Sequence, residues 1–424
     1  MADPHPARSG GDARPIWRNA SFDRYWFGHA LSAFGDQITA LGLPLIAIVL
    51  LDASPGQVGV LTAAVWVPNL LSLFVGTWVD QHRRQQGLMI CADLVRCLAI
   101  LPIPVAYGLD RLSMPVVYGS ALALGAGAVL YNSAYPSFFV RLVPKAQYVA
   151  ANSVLSTTLS TAALAGPAVA GLLIQALSAP AALLADAATF LLSAIAISTV
   201  HAHRHPSPEP DQTDAEPYLH RLRQGAAYLR RHAYLRASLL ASTTLNLAGF
   251  AIEAVLILYA TRHLHMTPGQ IGIAFSIGAT GGLLGAVTAA PVAARIGAGR
   301  AMAIGVSLNA IPFAGLAIAG TTPTAGIVAV AAAEFIAAWA VMLFDINNNA
   351  LRATVTDDAM RGRVAGAYST VNYGSRPIGA LLGGWCATAI GVPATLVLAG
   401  VLGSLASLWI VRSPVVHVKA ITDL

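Results

Sequence analysis

Charge is the scarcest property of this 424-residue sequence. Only 10% of its residues are Asp, Glu, Lys or Arg, whereas 56% are hydrophobic. Soluble globular domains carry about 25% charged residues, so this composition excludes an ordinary soluble protein. A bilayer core needs about 20 apolar residues per helix, and the chain is long enough for about twelve such spans.

Other scarce features exclude whole classes of site. The three cysteines, Cys91, Cys97 and Cys386, all lie in apolar runs, which predicts packing residues rather than disulfides or metal ligands. The histidines within residues 201–205 belong to a polar stretch and predict no metal centre. The sequence contains no Gly-Lys dipeptide and hence no Walker-type phosphate loop. We therefore expect no cofactor, no metal and no use of ATP.

The distribution of polar segments predicts the topology. Residues 1–21 lack an apolar run, which argues against a cleaved signal peptide and predicts a cytoplasmic tail. Six spans are predicted within residues 22–200 and six within 236–412, with a polar linker at 201–235 and a short tail at 413–424. Nearly all basic residues outside the spans fall on the side of the termini. The positive-inside rule then predicts a multi-pass membrane protein with both termini in the cytoplasm.

The second half of the linker contains a basic amphipathic segment. Leu219, Leu222, Ala226 and Leu229 recur at helical spacing and are flanked by arginines. The pattern fits a helix that lies on the anionic inner leaflet. It fits a solvated connector helix equally well.

The sequence repeats itself at half its length. Residues 54–59, Ser-Pro-Gly-Gln-Val-Gly, match residues 267–272, Thr-Pro-Gly-Gln-Ile-Gly, at a shift of 267 − 54 = 213. Two further anchors follow in the same order, namely residues 142–144 with 354–356, and residues 166–171 with 376–381. This order predicts two parallel copies of one six-helix unit.

The most specific motif follows the second predicted span. Residues 76–84, GTWVDQHRR, contain a glycine, three further residues, an aspartate and then a basic cluster. This arrangement resembles the motif between the second and third helices of major facilitator superfamily transporters, although Gln81 replaces the usual Arg or Lys. Residues 34–37 and 347–379 resemble the first, tenth and eleventh helices of the branch that includes macrolide efflux proteins and the enterobactin exporter. The resemblance implies an all-α membrane fold of about twelve helices in two pseudo-symmetric six-helix halves.

Two motifs are expected to control the conformational change. The segment after the second span would form a cytoplasmic latch that holds the outward-open state. In it a glycine permits close helix packing, and an aspartate accepts hydrogen bonds from the free N–H groups of a facing helix, which we expect to be the eleventh. A Gly-Pro pair in the fifth span resembles an exporter motif, in which the proline kinks the helix. The residues assigned to these roles are Gly76, Asp80, Arg83, Arg84, Gly166 and Pro167.

Polar side chains within apolar spans predict the transport site. An aspartate at the bilayer centre costs about 2.5–3.5 kcal/mol, so such residues face the protein interior. They form stripes on the first, fourth, seventh and tenth helices, which line the central cavity in the resembling fold. The candidates for proton coupling are Asp36, Glu253, Glu334 and Asp345. Asp36 and Glu253 are favoured because they lie nearer mid-span. The candidates for substrate contact are Asp36, Gln37, Trp66, Asn69, Tyr131, Asn132, Tyr135, Asn246, Phe250, Glu253, Trp339, Phe344 and Asp345.

Three further charges are interpreted as structural. Asp93 and Arg96 are three residues apart on the third helix and are expected to pair or to contact the latch. Asp186 is placed near the outer surface, where it would cap a neighbouring helix. Glu334 and Asp345 are expected to form two sites at different depths, because about 16 Å separates them along their helix.

These observations predict a proton-coupled exporter of amphiphilic small molecules rather than an enzyme. A buried acid in an apolar cavity can alternate between protonated and charged forms, so a proton and a cationic substrate would compete for it. The expected partners are the substrate, protons and membrane lipids, without nucleic acid, and the protein is expected to be a monomer. The alternatives are a dedicated exporter or importer of one metabolite, such as a siderophore, and a membrane enzyme, which would need a clustered catalytic set.

Overall fold

The computed structural model describes residues 19–82, 84–201, 218–318 and 322–421, and these residues form helices and loops without any β-strand. The membrane-length helices are α1 (Ala20–Leu50), α2 (Pro55–Asp80), α3 (Gln85–Gly108), α4 (Met114–Leu142), α5 (Tyr148–Leu177), α6 (Ala179–Ser198), α7 (Ala233–Arg262), α8 (Pro268–Ile296), α9 (Ala298–Ile318), α10 (Pro323–Val355), α11 (Arg361–Ile390) and α12 (Val392–Val411). A linker helix, Tyr218–Arg231, precedes α7. The predicted all-α fold is confirmed.

Eleven helices in the described part of the chain are long and apolar enough to cross a membrane. α11 is not among them, although its 30 residues give it the length of a span. It is more polar than the others because it carries Asn372 and Arg376 on a face that lines an internal cavity. α11 packs against α2 and α7, so this polar face lies inside the bundle. Together with α11, the described residues form twelve membrane-length helices, in agreement with the about twelve spans predicted from the sequence.

The predicted repeat is visible at the starts of α2 and α8. The Ser54 hydroxyl accepts from the Gln57 N–H at 3.3 Å, and the Gln57 side chain accepts from the Ser54 N–H at 2.8 Å. Thr267 and Gln270 form the same pair of bonds at 3.3 and 2.9 Å. This reciprocal capping box satisfies two N–H groups that a helix start leaves free. Both copies of the repeat therefore begin a helix in the same way.

Each set of six helices packs mainly on itself. α1 packs on α5 and α6, and α3 packs on α4 and α6, whereas α8 and α9 both pack on α10, and α7 packs on α11. The two sets meet where α2 contacts α11 and where α5 contacts α8. We call residues 20–198 the first half and residues 233–411 the second half. The domain boundaries inferred from the sequence stay predictions.

Glycines allow the two halves to touch. A Cβ added to Gly59 of α2 would lie 2.8 Å from the Cα of Gly384 on α11. A Cβ added to Gly272 of α8 would lie 3.1 Å from the Cα of Gly171 on α5. The repeat relates the two contacts, since 272 − 59 = 213 and 384 − 171 = 213. Small residues at such crossings let helix backbones approach closely, so any larger side chain here would push the halves apart.

These contacts close one end of the bundle. We call it the closed end, and it includes the loops at residues 51–54 and 263–267, where Arg262 forms an ion pair with Asp52 at 2.5 Å. The opposite end, which includes residues 81–84 and 356–360, we call the open end. There, no described atom lies within 4 Å of a Cβ added at Gly76 of α2 or at Gly362 of α11. The halves are therefore joined at one end and separated at the other.

The linker helix lies on the open end of the second half. Its Leu229 is buried in a cluster with Tyr368 of α11, and Gly225 lies against the backbone oxygen of Arg363. The apolar face of the helix therefore packs on protein. The apolar stripe is thus used for contact with α11, and the place of the helix relative to the leaflet stays a prediction. The side chain of Leu219, which belonged to the predicted stripe, lies outside the described residues.

Candidate transport site

A polar cavity of about 540 Å³ lies within the second half, between α7, α8, α9, α10 and α11. Three carboxyl groups line it, from Glu253 on α7 and from Glu334 and Asp345 on α10, together with the guanidinium of Arg376 on α11. Among the described residues, none of these carboxylates has a cationic partner within 4 Å. With three acids and one base, the lining is suited to a positively charged molecule.

Helical spacing explains why these acids share one cavity. Glu334 and Asp345 are 345 − 334 = 11 residues apart, close to three turns, so they lie on one face of α10. Gly278 of α8 lets this face approach, because a Cβ at Gly278 would collide with the Cβ of Glu334. The structure thus places the two acids along one cavity, at different depths within it.

The charged groups of this cavity interact with one another. The Glu253 carboxyl and the Arg376 guanidinium line the same cavity, so their opposite charges attract each other. Glu334 is in electrostatic contact with Glu253, and Asp345 with Arg376. A change of charge at one of these residues therefore changes the electrostatic energy of the others.

The polar lining also includes residues that sequence reasoning missed. Asn246, a predicted substrate contact, donates to the side-chain oxygen of Asn372 at 3.0 Å. Asn309 of α9 lines the same cavity and donates to the Ala337 carbonyl at 3.1 Å. Asn372 is four residues before Arg376, one turn of α11. Two polar residues one turn apart in an apolar span are a signal that could have identified Asn372 and Arg376 as lining residues.

A smaller polar cavity of about 290 Å³ lies in the first half, between α1, α3, α4 and α5. Its lining includes the predicted residues Asp36, Gln37, Tyr131, Asn132 and Tyr135. Arg96 of α3 forms an ion pair with Asp36 and lies 3.7 Å from Asp93. The Arg96 guanidinium also lies 3.9 Å from the centre of the Phe190 ring. The acid of this cavity is therefore already paired with a cation.

Arg96 and its neighbours refine the interpretation of the structural charges. The expected pairing of Asp93 with Arg96 is present, and Asp93 also accepts from the Ser193 hydroxyl at 2.7 Å. Arg96 lines the cavity as well, which its assignment as structural did not anticipate. Asp186 is fully buried and accepts from Thr39 of α1. Its predicted place near the outer side of the membrane stays a prediction.

His29 is a further residue of the first cavity that sequence reasoning missed. Its ring nitrogen Nδ1 lies 3.3 Å from the Tyr131 hydroxyl, and its ring stacks on those of Tyr25 and Tyr135. The signal was its position on α1, where His29, like Ser32, lies within two turns of Asp36. These residues form one polar stripe of the helix.

Three of the predicted substrate-contact residues line neither of the two polar cavities. Trp339 donates from Nε1 to the Thr288 hydroxyl at 2.9 Å, so it packs between α10 and α8. Asn69 belongs to a 3-10 turn of α2, Val67–Leu71. Trp66 lies at the boundary between the halves, with its ring centre 5.0 Å from that of Phe250. Phe250 and Phe344 do line the larger cavity.

The predicted latch is disengaged in this conformation. Asp80 accepts from the Ser137 hydroxyl of α4 at 3.4 Å, within its own half, and Arg84 is exposed. Arg83 lies outside the described residues. Gly166 of α5 lies against the side chain of Gln37 on α1. The latch assignment stays a prediction about the opposite conformation.

A larger groove of about 810 Å³ lies on the outer face of α7 and α12. Arg236 and Arg412 line its open-end mouth, and the rest of its lining is mostly apolar, without a carboxylate among its described residues. Because proton coupling needs a titratable acid, the cavity that holds Glu253 is the candidate transport site.

Comparison with known proteins agrees with this architecture. A family model described as a transmembrane secretion effector matches residues 13–423. The chain belongs to this family of major facilitator transporters. It is 26% identical over 378 residues to the multidrug efflux pump Tap of Mycobacterium tuberculosis, and the match covers 87% of each chain. The chain is thus a multi-pass membrane transporter and not an enzyme.

Solved structures support the fold assignment. A bacterial homologue of the iron transporter ferroportin in its inward-facing state matches with a TM-score of 0.74 at 16% identity, over 94% of this chain and 99% of that chain. The outward-facing state of a bacterial ferroportin homologue matches with a TM-score of 0.59 at 15% identity, over 92% and 98%. These likenesses confirm the major facilitator fold predicted from the sequence.

Proposed function

We propose that the protein exports cationic, amphiphilic small molecules across the cytoplasmic membrane in exchange for protons. One observation carries the proposal: Glu253, Glu334 and Asp345 share a single cavity of about 540 Å³ at membrane depth. A proton and an organic cation each neutralise the same carboxylates, so the binding of one weakens the binding of the other. Apolar lining residues such as Phe250 would hold the uncharged part of an amphiphile.

Alternating access would move this cavity between the two sides of the membrane. The glycine contacts of α2 with α11 and of α5 with α8 close one end, and equivalent contacts at the open end would close the other. Asp80 and its neighbours would hold that second closure. Rocking of the two halves around a fixed site is the usual form of such a cycle.

The distribution of arginines supports one orientation in the membrane. Arg111 and Arg262 lie at the closed end, whereas most of the other basic residues near helix ends lie at the open end. These include Arg84, Arg141, Arg295, Arg300, Arg361, Arg363 and Arg412. The positive-inside rule supports a cytoplasmic open end and cytoplasmic termini. The conformation described above would then be the inward-open one, which can load substrate from the cytoplasm.

The relatives support export of drug-like substrates. Tap of Mycobacterium tuberculosis is called a multidrug efflux pump, and the match extends over most of both chains. We extend that activity to this chain, with a monomer surrounded by lipid as the working unit. Resistance to cationic antibiotics and dyes would follow in the host cell.

The test is transport by purified protein in liposomes. A pH gradient imposed in the antiport direction should drive ethidium across the membrane, and a protonophore that collapses the gradient should stop it. An Asp358→Asn variant is a suitable control, because Asp358 is exposed at the open end, far from the cavity. Ethidium transport at the same rate with and without the pH gradient would contradict proton coupling. Movement of one metabolite, without any dye, would support the dedicated carrier instead.

A further inference from the structure

Arg376 is a cation at membrane depth that forms no ion pair with a described residue. Among the described residues, no carboxylate lies within 4 Å of its guanidinium, and its Nε is buried without a hydrogen-bond acceptor. Charged side chains inside membrane spans usually pair with an opposite charge or with backbone carbonyls. A different interaction must therefore hold Arg376 in place.

Aromatic rings provide that interaction. The guanidinium carbon of Arg376 lies 4.4 Å from the ring centre of Trp66, 4.6 Å from that of Tyr373 and 5.2 Å from that of Phe250. The rings of Trp66 and Phe250 meet edge to face, at an interplanar angle of 78°. Cations within about 6 Å of such rings are attracted by the negative charge of the ring faces. We call Trp66, Phe250 and Tyr373 the aromatic cage.

The cage opens on the candidate transport site. Phe250 and Arg376 both line the 540 Å³ cavity. Glu253, one turn after Phe250 on α7, lines the same cavity as Arg376. Aromatic faces combined with a carboxylate are the groups that bind quaternary ammonium ligands in proteins. The site that now holds the guanidinium therefore has the chemistry of an organic-cation site.

We propose that the aromatic cage binds the cationic group of the substrate, and that Arg376 occupies it as an internal placeholder which the substrate displaces. The proposal deepens the proposed function, on which it rests, by naming the subsite and the substrate class, namely lipophilic ammonium and phosphonium ions. A guanidinium resembles such ions because its charge is delocalised and weakly hydrated. Once displaced, Arg376 has Asp345 in the same cavity, with which it already interacts.

The position of the cage links binding to the conformational change. Trp66 belongs to α2 of the first half, whereas Phe250, Tyr373 and Arg376 belong to the second half. Trp66 is also 66 − 59 = 7 residues after Gly59, two turns from the contact that closes the bundle. A substrate in the cage would therefore contact both halves at the point where they are joined.

The rival explanation is that Arg376 only holds the two halves together. In that case its loss would weaken the closed end and would not create a better cation site. A purely electrostatic role is a second rival, because removal of any positive charge near the carboxylates would favour cations. The experiment must separate all three.

Binding of two matched probes makes this separation. Tetraphenylphosphonium is a permanent cation, and triphenylphosphine oxide is a neutral molecule of similar shape. Their affinities for the full-length protein in lipid nanodiscs can be measured by calorimetry without a pH gradient. Arg376→Gln should bind tetraphenylphosphonium about tenfold more tightly, because the internal competitor is gone, with little change for the neutral probe. The matched control is Arg352→Gln, since Arg352 also lies over an aromatic ring, at 4.0 Å from the centre of Tyr368, and is near Asp345.

Changes at Trp66 separate the cage from simple electrostatics. In the Arg376→Gln background, Trp66→Leu should abolish the gain in affinity, whereas Trp66→Phe should keep most of it. A gain that survives Trp66→Leu, or that Arg352→Gln reproduces, would overturn the cage. So would an unchanged or weaker affinity in Arg376→Gln, or an equal gain for the neutral probe. If Trp66→Leu fails to fold, the affinity for tetraphenylphosphonium can still be measured in Trp66→Phe, which keeps an aromatic ring.

Failure of this proposal can be distinguished from failure of the proposed function. If wild-type liposomes move dye under a pH gradient but Arg376→Gln shows no selective gain for the cation, only the cage assignment is wrong. If the cation-selective gain appears but no pH gradient drives transport, the cage stands and proton antiport is wrong.

Discussion

Asp36 of α1 is held in an ion pair by Arg96 of α3, whereas the acids of the second half, Glu253 among them, have no such partner among the described residues. Both acids were favoured from the sequence as proton carriers, because both lie near mid-span. The structure separates them by their surroundings. Protonation of Asp36 would break an existing pair and release Arg96, whereas protonation of Glu253 would occupy the site that a cationic substrate needs.

The first prediction concerns the Asp36–Arg96 pair. Arg96→Gln should destabilise the protein by about 2 kcal/mol, less than a fully buried pair would cost, because the Asp36 side chain is 47% exposed. The double variant Asp36→Asn/Arg96→Gln should recover part of this loss, since Asp36 no longer carries an unpaired charge, whereas the buried Asp93 of α3 still lacks Arg96. Thermal unfolding in detergent measures both. A double variant no more stable than the single one would show that the pair does not matter for stability.

The second prediction concerns the proton carrier. Glu253→Gln should retain counterflow, the exchange of labelled for unlabelled substrate, because exchange needs no net proton movement. It should lose gradient-driven efflux by at least about tenfold, since the amide cannot take up a proton. Both rates can be measured in the same liposomes. If Glu253→Gln still concentrates substrate against its gradient, the proton is carried elsewhere, and Glu334→Gln becomes the next variant to test.

The third prediction concerns the helix contact at the closed end. Gly59→Val should push α2 away from α11, because even a Cβ would lie 2.8 Å from the Gly384 Cα. The equilibrium should shift toward the conformation in which the open end is closed. Spin labels at the exposed positions Arg84 and Arg361 should then move closer together in a double electron–electron resonance measurement.

Gly76→Val is the matched control for that experiment. No described atom lies within 4 Å of a Cβ at Gly76 in the present conformation, so this variant should leave the labels far apart. It should still abolish transport, because α2 could no longer approach α11 when the open end closes. The same label distance in both glycine variants would contradict the assignment of the two ends.

The fourth prediction concerns the latch. Asp80→Asn should fold and express normally, because among the described residues Asp80 accepts only from Ser137, at 3.4 Å, and an amide oxygen can do the same. Transport should fall by about tenfold or more, since the charge is needed when the open end closes. Asp358→Asn should transport normally, because its pair with Arg361 is exposed and worth little. Normal transport by Asp80→Asn would contradict the assignment of Asp80 to the latch.

Local features of the fold were readable in the sequence. The capping residues at Ser54 and Thr267, the apolar runs and the repeat are all properties of neighbouring residues, and each appears in the structure. Helical spacing also placed Glu334 and Asp345 on one face of α10. The same arithmetic could have excluded Trp339, which at 100° per residue lies about 140° around the helix from Glu334.

The partners of the polar residues could not be read in this way. Spacing shows which face of a helix is polar but not which helix lies opposite. Arg96 was interpreted as structural because Asp93, its neighbour along the chain, was visible, whereas Asp36 comes from another helix. The cage around Arg376 likewise combines Trp66 with Phe250, which only the packing of α2 against the second half brings together.

The most direct test of the account is whether substrate binding releases protons. Tetraphenylphosphonium can be added to weakly buffered wild-type protein over a range of pH values, and the released protons followed with a soluble pH indicator. If cation and proton compete for the carboxylates of one cavity, binding should release protons in the wild type, and Glu253→Gln/Glu334→Gln should release markedly fewer. Binding without proton release at any pH, or equal release from the double variant, would contradict the account.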